Sequence, residues 1–265
     1  MGGCLPGSRR ADDGDRGGAQ GGSSAVDGLP TLNYENVFGK MLFVDGASGG
    51  AAGRSYDDRM LDADLLTAAA AAPGFMPPDE GLALAEAAHA APAGPILEVG
   101  SYLGKSTLYL AAAARPRRTT VVTVDHHRGS EEHQPGWEYH DATLVDPAVG
   151  LIDTLPGFRS TIAKAGAEDV VVAVVARAED FARLWATPLA FLFLDGSHTD
   201  ESAQRDLASW APHLAAGGVL AIHDVFPDPA DGGQAPYRIY RRALESGAYS
   251  ELSGRGSLRL LRRDH

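Results

Sequence analysis

Short apolar runs alternate along this chain with stretches whose apolar residues recur at helical spacing. Met60, Leu61, Leu65 and Leu66 predict a helix over 57–72, stopped by Pro73-Gly74, and Pro77-Pro78-Asp79-Glu80 opens a second helix carrying Leu82, Leu84 and Ala85. Ile96-Leu97-Glu98-Val99 then reads as a strand, followed by glycines at 100 and 104 and an Ala-rich helix over 106–114. The β-branched run 119–124, ending in Asp125, predicts a second strand, and 170–175 a third, with Arg177-Ala178-Glu179-Asp180 opening a short helix to Trp185. A fourth strand over 189–194 ends in Asp195-Gly196-Ser197-His198. A helix over 200–214 follows with Leu207 and Trp210 inward, and Gly217-Gly218 leads into a fifth strand, 219–222, ending in His223-Asp224. The tail reads as a helix over 235–245 and a hairpin of 249–252 and 257–261 around Gly254-Arg255-Gly256.

Strands alternating with helices at this spacing predict an α/β fold with a doubly wound, Rossmann-like, mostly parallel sheet. Ligands bind such sheets at the carboxyl ends of the strands, and every candidate functional residue falls at one.

Composition narrows the classes. A chain of 265 residues has room for one sizeable domain with extensions. Its net charge of −12 argues against an electrostatic nucleic-acid binder. The single Cys4 excludes an internal disulfide framework and suits a reducing compartment, so a cytoplasmic address is expected. No apolar run reaches the length of a membrane span, and no apolar signal segment follows Arg9 and Arg10. Residues 1–30 are Gly, Ser, Asp and Arg with little to bury and are expected to be disordered. Residues 31–76 read as a lead-in and helix, and 77–265 as the functional domain.

The turn after the first strand is a small-molecule site by construction, because it brings bare backbone N–H groups and a helix N-terminus to one spot. A phosphate-binding P-loop needs four residues between its first glycine and the Gly-Lys pair, and Gly100-Ser101-Tyr102-Leu103-Gly104-Lys105-Ser106 has three. A dinucleotide fingerprint needs a second glycine where Tyr102 stands, which disfavours an NAD(P)-dependent oxidoreductase. The remaining pattern, Glu98-x-Gly100-x-x-x-Gly104, resembles motif I of class I S-adenosylmethionine (SAM) methyltransferases. The resemblance covers roughly 77–262 and implies an antiparallel edge formed by the last two strands. It also implies that Glu98, Gly100, Ser101, Tyr102, Gly104 and Ser106 line the methionine end of the cofactor, and that Ala178 and Glu179 flank its adenine. Asp125, at the end of the second strand, is placed to accept the ribose hydroxyls, with His126 beside it.

The chemistry lies at the ends of the fourth and fifth strands. Asp195 and Asp224 sit at the mouths of adjacent strands, where their carboxylates can converge on a hard cation such as Mg²⁺. Such an ion lowers the pKa of a hydroxyl and orients it, and a nearby histidine takes the proton. His198, three residues after Asp195, is placed to be that base, and His223 is either a third ligand or a second acid/base group. The spelling Leu194-Asp195-Gly196-Ser197-His198, with 214–224 through Gly217-Gly218 to His223-Asp224, resembles the type 24 methyltransferase family. That family includes metal-dependent O-methyltransferases of sugars and secondary metabolites, in which an acidic pair follows the fifth strand. Here the pair is His223-Asp224.

The segment from 126 to about 155 is too long and polar for an ordinary strand-to-helix connection and is expected to form a lid or substrate loop. Trp137 and Tyr139 among carboxylates and imidazoles suit a polyhydroxylated substrate. Its histidines, His126, His127, His133 and His140, fit no standard zinc spacing. This segment, with 223–233, is similar to actinobacterial methyltransferases of the mycofactocin oligosaccharide type, which methylate a glucose hydroxyl. The expectation is therefore a SAM-dependent, Mg²⁺-assisted O-methyltransferase of a small molecule, a saccharide before other secondary metabolites. Small-molecule methyltransferases often pair, which makes a homodimer the expected assembly. The rival classes are the oxidoreductase and a binding module that keeps the fold without turnover.

Overall fold

The computed structural model describes residues 60–137, 139–196 and 198–265. The expected arm, most of the lead-in and the start of the first helix lie outside the described residues. Helix α1 spans Ala63–Ala71 and begins later than expected because the Asp62 side chain caps it, accepting from the backbone N–H groups of Asp64 and Leu65. Helix α2, Pro78–Ala90, opens on a proline whose missing N–H costs nothing there. Strand β1, Ile96–Val99, is followed by α3, Lys105–Ala114, and β2, Val121–Asp125.

Seven strands form the main sheet in the order β5-β2-β1-β6-β7-β9-β8, where β5 is Val171–Val175, β6 Leu189–Leu194 and β7 Leu214–Ile222. These pair in parallel from β5 through β7, and β9 (Leu258–Arg263) runs antiparallel to both β7 and β8 (Tyr249–Arg255). Chain order reverses between β1 and β6, so a crevice opens above their carboxyl ends.

Alternation along the strands feeds two cores. Ile96, Val121, Phe191 and Phe193 face α1, α2, α3 and α4 (Leu155–Lys164), where Leu65, Leu84, Leu110 and Phe158 are buried. Leu97, Val122, Leu192 and Leu220 face α5 (Ala178–Ala182), α6 (Asp200–Trp210) and α7 (Ala235–Glu245), meeting Leu207, Trp210 and Ile239. With both faces covered, each fully buried Leu or Phe contributes about 1.5–3 kcal/mol. The small side chains of Ala111 to Ala114 let α3 pack closely between the sheet, α1 and α2, with every residue from Ser106 to Ala114 buried.

Two boundaries differ from the sequence reading. Helix α6 stops at Trp210, because Pro212 cannot continue it, and a single tight turn, Ala211–His213, follows. Strand β7 starts at Leu214 rather than 219, with Gly217-Gly218 inside it. The ladder skips from Leu189↔Leu214 to Phe191↔Val219, so these glycines sit in an irregularity that lets the strand rejoin its partner.

The long connection after β2 holds tight turns at Glu131–His133 and Ala142–Leu144 and a small hairpin of β3 (Val145–Asp146) and β4 (Leu151–Ile152). Its two ends are stapled. The Thr154 N–H donates to the His127 carbonyl at 3.1 Å, and their side chains meet at 2.8 Å.

Candidate functional site

The turn after β1 carries an anion of its own. Asp125 Oδ2 accepts the N–H groups of Ser101 (2.9 Å) and Tyr102 (3.0 Å), and Oδ1 accepts that of His127 (2.7 Å). Amides that a phosphate loop aims at its ligand are spent here on a carboxylate, so the turn suits a cofactor without phosphate at this point. Carboxylate oxygens have lone pairs to spare, which leaves Asp125 able to accept a further hydroxyl. Gly100 has φ +84°, and a Cβ on it would lie 2.4 Å from the Asp195 carbonyl oxygen, so only glycine lets the two turns touch. Tyr102 holds φ +46°, an uncommon conformation for a bulky residue.

Glu98 and Gly104 depart from their expected roles. Glu98 lies on the strand face toward α3, fully buried, and accepts the hydroxyls of Ser106 (2.6 Å) and Thr107 (2.5 Å). Burial pushes its carboxyl up to about 7 despite these bonds. Gly104, at φ +92°, packs against Phe158 and Ile162. Both shape the turn from behind and neither reaches the cavity.

That cavity, about 350 Å³, opens at the sheet's reversal point. Gly100, Ser101, Tyr102 and Ser106 line one wall, Asp125 and His126 the next, and Ala178 and Glu179 a third. Asp195, His198, His223 and Asp224 close the side at the ends of β6 and β7. The structure thus brings the remaining candidates from five chain segments to one space. It also adds Phe75, Met76, Arg205 and Asp206, which no sequence pattern marked, and brings Glu131 and His133 of the long polar segment to the same space.

One ligand atom each from Asp195, His198 and Asp224 lies within 4.8 Å of the others. The two carboxylates fit a divalent cation, with the His198 imidazole beside them. This differs from the expected set in one member: His198 stands in the group where the sequence suggested His223, whose two ring nitrogens meet carboxylates. Its Nε2 meets Glu80 Oε2 at 2.8 Å, and its Nδ1 faces Asp195 Oδ1 at 3.2 Å and Asp224 Oδ2 at 3.4 Å. Burial opposes the charged ring, but Asp195 and its companions outweigh that and push His223 up to about 12. With Nε2 bonded to Glu80 and Nδ1 facing both aspartates, the His223 ring bridges the buried Glu80 carboxylate and the Asp195–Asp224 pair.

His198 lies between Glu132 Oε2 (2.8 Å to Nδ1) and Asp224 Oδ2 (3.0 Å to Nε2). Burial lowers its proton affinity, and the bonds to Asp224 and Glu132 more than reverse this, pushing it up to about 10. Asp224 is held well below the usual carboxylate range, because the bonds from His198 and His223 overcome its burial. Its backbone is also unusual, at φ +55° for a non-glycine residue, a conformation costing about 1–3 kcal/mol.

The histidines of the 126–155 segment do not gather. His126 Nδ1 accepts the Arg128 N–H (3.0 Å), His127 bonds Thr154, His133 bonds Ser130, and His140 bonds the His133 carbonyl. Asp195, His198 and Asp224 form the metal-competent group found among the described residues. Trp137 and Tyr139 are both exposed, and the Tyr139 ring lies 5.6 Å from Phe75, itself 5.4 Å from Tyr102. Among the described residues no helix is long and apolar enough to cross a membrane.

Comparison with known proteins agrees with this architecture. Residues 97–225 match the family model Methyltransf_24, described as a methyltransferase domain. The fold is similar to that of cofactor-bound Rv0187 from MTB, at 23% identity over 77% of this chain and 89% of that one, with a TM-score of 0.52. It is also similar to the O-methyltransferase TomG from Streptomyces achromogenes, involved in tomaymycin synthesis and solved with SAM, at 19% identity, 77% and 91% coverage and a TM-score of 0.52. An O-methyltransferase from Bacillus cereus, in complex with SAH, matches at 20% identity, 76% and 89% coverage and a TM-score of 0.50. Residues 97–225 are therefore similar to the type 24 methyltransferase domain, and the chain has the class I methyltransferase fold.

Proposed function

We propose that this protein is a SAM-dependent O-methyltransferase that methylates a hydroxyl of a small polyhydroxylated molecule, a saccharide, with Mg²⁺ at the acceptor site. The observation that carries the reading is the convergence of Asp195, His198 and Asp224 beside the motif I turn, in one cavity. Bound SAM supplies an electrophilic methyl group, and a divalent cation acidifies the acceptor hydroxyl.

The chain's own residues do the rest. Gly100, Ser101, Tyr102 and Ser106 hold the methionine end, Asp125 and His126 the ribose, and Ala178 and Glu179 the adenine. Asp195 and Asp224 would hold the cation beside the acceptor hydroxyl, and orienting that hydroxyl is most of what such a transfer needs. The acceptor oxygen forms the new C–O bond as the S–CH₃ bond breaks, leaving S-adenosylhomocysteine (SAH), and the hydroxyl proton passes to Nε2 of His198. His198 needs a vacant Nε2 for this. A cation held by Asp195 and Asp224 would take up the Asp224 charge that holds the proton there.

The similarity of 125–154 and 223–233 to mycofactocin oligosaccharide methyltransferases directs the acceptor search to glucosides, with non-sugar secondary metabolites next. A homodimer in a reducing, cytoplasmic setting completes the reading. Calorimetric titration with SAH, with and without Mg²⁺, followed by methyl transfer to glucosides, tests it. Saturable micromolar SAH binding is expected, and no binding in either condition overturns the assignment.

A further inference from the structure

Glu132 stands in the tight turn Glu131–His133 of the lid, far in sequence from the strand ends, yet its carboxylate meets Nδ1 of His198 at 2.8 Å. The turn is not free to wander. Ser130 and His133 form a reciprocal cap across it, and the His133 ring stacks on the Tyr102 ring at 5.2 Å and 24°. Adjacent residues of one lid turn therefore touch two parts of the site: His133 rests on the cofactor turn and Glu132 on the histidine at the end of β6. Beyond the stack, the Tyr102 N–H is bonded to Asp125, the expected ribose acceptor.

We propose that the Glu131–His133 turn is a clasp in which Glu132 acts as a positioning residue, fixing the Nδ1–H of His198 and thereby aiming Nε2 at the Asp195–Asp224 carboxylates. The inference rests on the methyl-transfer reading given above. Its physical content is orientation: an imidazole with one N–H held by a carboxylate keeps one tautomer and one ring plane. Because the carboxylate comes from the lid, His198 is set only while the lid covers the cavity. Lid closure and assembly of the proton-accepting site are then one event, which prevents proton transfer in an open, wet site.

The test uses the full chain labelled with ¹⁵N-histidine, bound to SAH, with the His198 signals among nine histidines assigned by their loss in H198A. A slowly exchanging Nδ1–H resonance is expected in the wild type, lost in E132A and retained at a shifted position in E132Q, whose amide oxygen still accepts. In turnover, E132A is expected to lower kcat on the order of 10- to 100-fold, with KM and SAH affinity within about twofold, and E132Q to recover part of the loss. An Nδ1–H signal unchanged in E132A overturns the clasp, as does unchanged kcat. Failure of the wild type to bind SAH overturns the methyltransferase reading instead, while the resonance comparison, run without SAH, still decides the clasp.

Discussion

Glu80 and His223, 143 positions apart, form a buried ion pair at 2.8 Å, from the first turn of α2 to the end of β7. Glu80 also accepts the Ser257 N–H (3.0 Å) and hydroxyl (2.9 Å), which keeps its carboxyl below the usual range despite burial. Removing it strands a buried imidazolium and two donors. E80A is expected to lower the unfolding free energy by about 3–5 kcal/mol, read from urea midpoints, because a broken buried pair leaves an uncompensated charge. A change under about 1 kcal/mol shows that His223 does not need this partner.

Glu98 makes stability depend on pH with a definite sign. Its folded pKa, about 7, lies above its ordinary value of 4.5. The folded state therefore binds more protons between those values, and stability contributed by the neutral form is present below about pH 4.5 and lost as pH rises through 7. The difference is on the order of 3 kcal/mol. E98Q stays neutral and keeps an acceptor for Ser106 and Thr107, so its denaturation midpoint is expected to lose this slope between pH 5 and 8. Parallel pH profiles for wild type and E98Q rule the account out.

Gly100 tests the contact between the β1 turn and the end of β6. In G100A the added carbon meets the Asp195 carbonyl at 2.4 Å and the Gly196 Cα at 2.5 Å, with φ positive. The turn must shift, costing more than about 1 kcal/mol and weakening SAH binding at least tenfold by calorimetry. Wild-type affinity in G100A contradicts the cradle.

The cation site separates by function. D195N and D224N each remove a charged ligand and are expected to abolish Mn²⁺ binding followed by electron paramagnetic resonance, whereas SAH affinity in D224N stays near that of the wild type. H198A is expected to lower kcat about 10²- to 10⁴-fold with SAH affinity retained. Turnover unaffected by chelator, or by H198A, removes the metal or the base from the mechanism.

Local pattern was enough for the elements that positioned the site. Val121–Asp125 and Leu189–Leu194 are legible because buried parallel strands are continuous apolar runs, and their terminal acids are legible because ligands gather at strand ends. Asp195, His198 and Asp224 were found that way. The end of α6 and the start of β7 escape a local reading because the Gly217-Gly218 pair reads as a turn, while pairing with β6 absorbs it as an irregularity.

The sequence by itself determined the α/β alternation, the glycine turn that excludes phosphate cofactors by its spacing, and the acids and histidines at two strand ends. Those are properties of neighbours in the chain. Only the tertiary structure decided that Glu98 turns back into α3, that His223 bridges Glu80 and the two aspartates, and that Glu80 and Glu132 reach the cluster. A carboxylate in a helix's first turn or a polar loop looks like any solvated acid. Its meaning depends on which buried imidazole it meets, and packing sets that partner.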